Sequence, residues 1–174
     1  MSGFEFAAEK RVVEIARKYA EGLVDLDKRP LDFSDQSVQA LERLAAREYD
    51  RRPRDWKTNP ESAEKLDGYA KVLGFYVGEV MRRHHGAKWG FIQTPDGERV
   101  YGVQLPNGTM TSPISKAFKR LTNGAEDDLW FYFKATMEIA RRSAKEATPA
   151  NATSITPQPP GTRSRLGRIF RRGE

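Results

Sequence analysis

The run NPESAEKLDGYAKVLGFYVGEVMRRHHG, from Asn59 to Gly86, limits the folds open to this chain more than any other segment. Asn59 can cap a helix that begins with Pro60, and Glu61 and Glu64 sit in its positively polarised first turn. Leu66, Tyr69, Ala70, Leu73, Val77, Val80 and Met81 recur at helical steps and predict its inner face. Gly86 follows two histidines, where a left-handed glycine can close a helix. Gly74 and Gly78 lie on one edge of this helix. Each costs about 1 kcal/mol of helix propensity. Close packing against a neighbour, the downstream hairpin or the last helix, is expected to offset that; a ligand approaching the bare backbone is the sharper alternative.

The flanking segments are punctuated as clearly. Residues 5–23 place Phe6, Val13, Ala16, Ala20 and Leu23 at steps of three and four, which predicts an amphipathic helix. A second helix follows a cap at Ser34 or Asp35 and turns Val38, Leu41, Leu44 and Ala45 inward. DRRPRDWKTN, residues 50–59, reads as a surface loop around Trp56. KWGFIQTPDGERVYGVQL, residues 88–105, reads as a β-hairpin about Pro-Asp-Gly, and PNGT supplies a second turn. Ser112 and Pro113 repeat the cap-then-proline signature for a short helix through Ile114, Ala117, Phe118 and Leu121, ending at Asn123-Gly124. A last helix opens with Glu126, Asp127 and Asp128 and carries Leu129, Phe133, Met137 and Ala140. The expected fold class is α+β, mostly helical, with a small antiparallel sheet between the third helix and the C-terminal helices.

With 174 residues, the chain suits one core rather than two. It holds no Cys, which removes disulfides, thiolate metal sites and thiol nucleophiles and suits a reducing cytoplasm. MSGFEFAAEKR meets charges before an apolar run can start, so no secretory signal is expected. The charge is uneven. Residues 1–146 hold 25 Lys and Arg against 23 Asp and Glu, whereas residues 147–174 hold five Arg against one Glu. Residues 1–146 are therefore expected to form a single domain, and 147–161, rich in Pro and Thr, a flexible linker. Residues 162–174 read as a basic docking tail. On a helix Leu166, Ile169 and Phe170 would share a face, flanked by Arg163, Arg165, Arg168, Arg171 and Arg172. Such a tail suits an acidic or apolar groove of a protein partner or an anionic membrane surface, which would make the chain peripheral at the inner membrane face. Nucleic acid would engage the arginines alone.

LDFSDQSV before a helix, then LGFYVGEVMRRHHGAKW, then a hairpin and P-x-x-K-x-x-K-R-L form a layout of their own. This layout resembles an uncharacterised bacterial domain family of unknown function, whose members are similar in showing L-D-x-S, G-x-Y-x-G-E, a Trp and a Pro-led basic helix. The matching positions are Leu31, Asp32, Ser34, Gly74, Tyr76, Gly78, Glu79, Trp89, Pro113, Lys116, Lys119, Arg120 and Leu121, within residues 31–135. The resemblance supports the fold and implies no activity.

Glu79, His84 and His85 make a poor metal site, because adjacent helical histidines point about 100° apart and Glu79 lies off the spacing that zinc pairs use. No metal or cofactor is expected. Glu79 among apolar neighbours needs a partner, for which Arg82 and Arg83 are local candidates and Lys116 a distant one. Lys116, Lys119 and Arg120 form a ridge that could meet an acidic partner or remain a solvated face. WFYF, residues 130–133, points aromatics all round a helix, which implies burial on both sides or a homodimer interface. No catalytic motif is present. Gly74, Tyr76, Gly78, Glu79, Trp89 and Pro113 are accordingly read as structural. The expected function is a non-enzymatic interaction module of the immunity, chaperone or adaptor kind. An enzyme with a site around Glu79, Tyr76 and Lys116, or sequence-independent nucleic-acid binding through the tail, are the alternatives.

Overall fold

The structure, a computed structural model, describes residues 4–5, 9–27 and 31–146. The linker, the tail and Phe6 lie outside them. In chain order the described elements are β1 (Phe4–Glu5), α1 (Glu9–Asp27), α2 (Asp35–Arg51), α3 (Pro60–His85), β2 (Lys88–Gln93), β3 (Arg99–Gln104), β4 (Met110–Thr111), α4 (Pro113–Asn123), a 3₁₀ turn (Ala125–Asp127) and α5 (Leu129–Glu146). The class is α+β and mostly helical, as expected.

α3 is the axis of the fold. From Leu73 to Met81 every residue is buried, so for more than two turns the helix is enclosed on all sides. α1 and α4 pack along it, and β2 lies over α1 and α3. The caps are those the sequence signals. Asn59 Oδ1 accepts from Glu61 N, Pro60 takes the first helical position, and Gly86 closes the helix at φ 67°. Ser34 caps α2 and Ser112 caps α4, each accepting from the backbone N–H three residues on.

The sheet is antiparallel in the order β1-β2-β3-β4. Its hairpin pairs Trp89 with Val103 and Phe91 with Tyr101. Both turns have the same geometry. Gly97 N bonds Thr94 O and Thr94 N bonds Glu98 O, while Gly108 N bonds Leu105 O and Leu105 N bonds Thr109 O. Each is a three-residue loop whose glycine has positive φ, the form that Pro-Asp-Gly and Pro-Asn-Gly favour.

Five details differ from the sequence reading. Glu126 and Asp127 belong to the 3₁₀ turn, so the last helix starts only at Leu129, after Asp128. Phe4–Glu5 is a strand paired with Ile92 and Phe91, and the first helix starts only at Glu9. Val12 rather than Val13 sits deepest on α1, in line with Ala16, Ala20 and Leu23. Tyr69 is exposed, in a shallow recess with Arg52, Pro53 and Leu66 beyond the enclosed part of α3. The loop around Trp56 is pinned, because the indole meets the edge of Phe118 at 6.2 Å and Asp55 accepts from Asn59 and Ser62.

One buried ion pair joins the later helices to α2. Arg120, its side chain only 4% exposed, donates from Nε to Glu42 Oε1 at 2.7 Å. Glu42 Oε2 accepts from Leu129 N at 2.8 Å, placing a carboxylate at the positive end of α5.

Candidate functional site

The residues that most resembled an active site form a closed network under the surface. Glu79 is 0% exposed. Its Oε1 accepts from Arg82 Nε at 2.8 Å and Trp89 Nε1 at 3.0 Å, and its Oε2 from Arg82 Nη2 at 2.9 Å and Arg83 Nε at 3.1 Å. Burial alone would raise this carboxyl's pKa and is the largest single influence on it. The hydrogen bonds from Arg82 and Trp89, the charge of Arg82 and the bond from Arg83 together outweigh burial and hold it below the ordinary glutamate value. Glu79 is thus an anion with its lone pairs in use, the opposite of a poised general acid.

Tyr76 is committed on the next face. Its Oη accepts from Phe33 N at 2.9 Å and donates to Ser37 Oγ at 2.7 Å, and Ser37 Oγ donates to Ser34 O at 2.6 Å. Phe33 has a left-handed backbone, φ 62°, which costs a non-glycine residue about 1 kcal/mol. Its surroundings hold it there. The phenyl ring stacks on Tyr76 with centroids 4.7 Å apart, and the Arg83 guanidinium lies 3.6 Å from the ring centre. Asp32 Oδ1 accepts from Ser34 N at 2.9 Å to close the turn. L-D-x-S and G-x-Y-x-G-E are therefore two halves of one packing unit, joined by Phe33 and Arg83.

The twin glycines complete it. A β-carbon on Gly78 would stand 2.1 Å from Trp89 Cζ2, and one on Gly74 would stand 2.4 Å from Ile114 Cα. Gly78 admits the hairpin's indole, as expected; Gly74 admits the first turn of α4 rather than the last helix. Trp89 and Pro113 are both buried.

The Lys116 ridge is divided. Lys116 Nζ bonds Asp127 Oδ1 at 2.6 Å instead of reaching Glu79, and buried Arg120 is held by Glu42. Those two are engaged within the molecule, which leaves Lys119 exposed beside a recess with Lys71, Arg99 and Phe118. The other binding candidates, Arg163, Arg165, Leu166, Arg168, Ile169, Phe170, Arg171 and Arg172, lie outside the described residues.

The two histidines separate. His84 is exposed, whereas His85 Nε2 lies 2.8 Å from Asp35 Oδ1 and its ring meets the edge of Phe133. Among the described residues no three His, Asp or Glu gather in a way that could hold a metal. His85 and Asp35 stand at the edge of an open cleft of about 730 Å³. Leu105, Pro106, Trp130, Phe133 and Met137 give it apolar surface, and Lys134, Glu138 and Arg141 line it with charge. Sequence reading missed this cleft because its walls come from α2, α3, the β3–β4 turn and α5. Met137 and His85 were visible individually, but no spacing rule joins them. No family model matches the chain, and neither does any curated protein or solved structure. The resemblance drawn from the motifs gains no support there. Among the described residues no helix is long and apolar enough to cross a membrane.

Proposed function

We propose that this chain is a non-enzymatic interaction module whose folded part recognises a protein segment in the cleft beside α5. One observation carries this reading: the acid, the phenol and the glycines that could have formed a reaction centre are buried in one packing unit, with the carboxylate and the phenol each hydrogen-bonded inside it. An enzyme at Glu79, Tyr76 and Lys116 would need those groups to converge on a cavity, and Lys116 is held by Asp127. The cleft offers what an anchored peptide uses, an apolar floor from Trp130, Phe133 and Met137 between charges of both signs. The partner class is a segment with an apolar anchor and mixed charge. Residues 162–174 add a second docking element by this proposal, suited to an anionic surface with an apolar interior.

Affinity capture from the native host, with three forms of the protein, tests both parts. The full chain, a form truncated after Lys145, and Met137→Glu in the full chain are compared for the same identified partner. The proposal expects truncation to weaken retention and Met137→Glu to abolish it. Undiminished retention by Met137→Glu would remove the cleft from the account.

A further inference from the structure

α5 has two faces, and the cleft uses only one. Leu129 and Phe133 are buried, while Phe131 is 69% and Ile139 54% exposed. At 100° per residue, Asp128, Phe131, Ala135, Ile139 and Arg142 fall within about 40° of one line along the helix. That line is turned roughly 100° or more from Trp130, Lys134, Met137 and Arg141, which line the cleft, and about 60° from Glu138 on the cleft's near rim.

The strip has a symmetry of its own. Ala135 is at its centre; Phe131 and Ile139 flank it four residues away on either side, and Asp128 and Arg142 flank it at seven. A two-fold axis passing beside Ala135, between two antiparallel helices and perpendicular to both, would bring each Phe131 against the other copy's Ile139. It would bring each Asp128, whose carboxylate caps α5 by accepting from Phe131 N, towards the other copy's Arg142, which shares Glu138 with Arg141 and keeps a side chain 72% exposed. An isologous interface requires such reciprocity, in which one patch complements itself. A small residue at the crossing point lets two helix backbones approach, while the aromatic and aliphatic groups fill the space on either side.

We propose that the protein forms a homodimer through antiparallel packing of α5 against α5 of a second copy, centred on Ala135. A contact built mainly from one helix per chain lies at the small end of stable interfaces, so the dimer should be a weak, concentration-dependent one. The apolar floor of the cleft stays open in it, because Trp130, Phe133 and Met137 lie on a different side of α5.

Sedimentation of the full chain between about 5 and 500 µM tests this directly. The weight-average mass should climb from monomer towards dimer, and Ile139→Glu should remain monomeric throughout while unfolding at the same temperature as the parent. Since the chain has no Cys, Ala135→Cys supplies a second readout. Under mild oxidation it should form a disulfide-linked dimer about tenfold faster than Gln39→Cys, a thiol on the exposed side of α2. A monomer across the whole range would overturn the proposal. So would a dimer that survives Ile139→Glu, or equal cross-linking at the two positions.

Discussion

Replacing Gly78 with alanine is expected to destabilise the protein by about 3 kcal/mol, at the upper end of what overpacking a core usually costs. Helix propensity predicts the opposite sign, since alanine is favoured over glycine by about 1 kcal/mol inside a helix. Geometry decides between them. The added carbon would lie 2.1 and 2.3 Å from Trp89 Cζ2 and Cη2, and the fully buried indole is tethered to Glu79 through its N–H. The ring can retreat only by breaking that bond or by lifting β2 off α3. Gly68, on the same helix with nothing within 4 Å of an added β-carbon, provides the control. Gly68→Ala should gain up to about 1 kcal/mol. Trp89→Phe removes the offending benzo ring, so Gly78→Ala should cost less in that background than in the parent. Urea unfolding of the parent, Gly78→Ala, Trp89→Phe and the double variant measures the coupling.

Glu79→Ala should cost a similar amount, about 3 kcal/mol, for a different reason. The substitution leaves the Trp89 N–H buried without an acceptor and strips two arginines of their shared anion. Arg82 and Arg83 keep side chains 32% and 28% exposed, so water can take over part of their solvation and limit the loss. Glu79→Gln keeps an acceptor for Trp89 and should cost less. The pair also separates by pH. The folded carboxyl titrates below its unfolded value of about 4.3, so the anion's contribution is complete above that pH. It is lost as the pH falls through the folded value. Stability of the parent should therefore decline more steeply below about pH 4 than that of Glu79→Gln, and the two curves should converge in acid.

The helices and turns were legible because their signals are local. Asn59-Pro60, Ser112-Pro113 and Gly86 name their positions through capping chemistry, and the two Pro-x-Gly loops name theirs through backbone preference. The partners of Glu79 were half legible: Arg82 and Arg83 are one turn away along the helix, but Trp89 enters only once the hairpin folds back. The remaining features needed distance information. Nothing in LDFS announces that Phe33, in the turn before α2, will adopt positive φ and pack against both Tyr76 and Arg83 of α3. The ridge of Lys116, Lys119 and Arg120 looked continuous because spacing describes one helix, while burial of Arg120 depends on Glu42 from another. WFYF is ambiguous for the same reason. Phe133 is enclosed and Phe131 is exposed, a division set by which side of α5 meets the core.

Native-state hydrogen exchange of the Trp89 indole N–H reports on the seam between α3 and the hairpin more directly than any substitution. If that proton is held by buried Glu79 under Gly78, it should exchange only through global unfolding, as slowly as the most protected backbone amides of α3. Exchange at the rate of the half-buried Trp130 indole, in a protein of undiminished stability, would mean that water reaches Glu79 in the native state, and the closed packing unit would be contradicted.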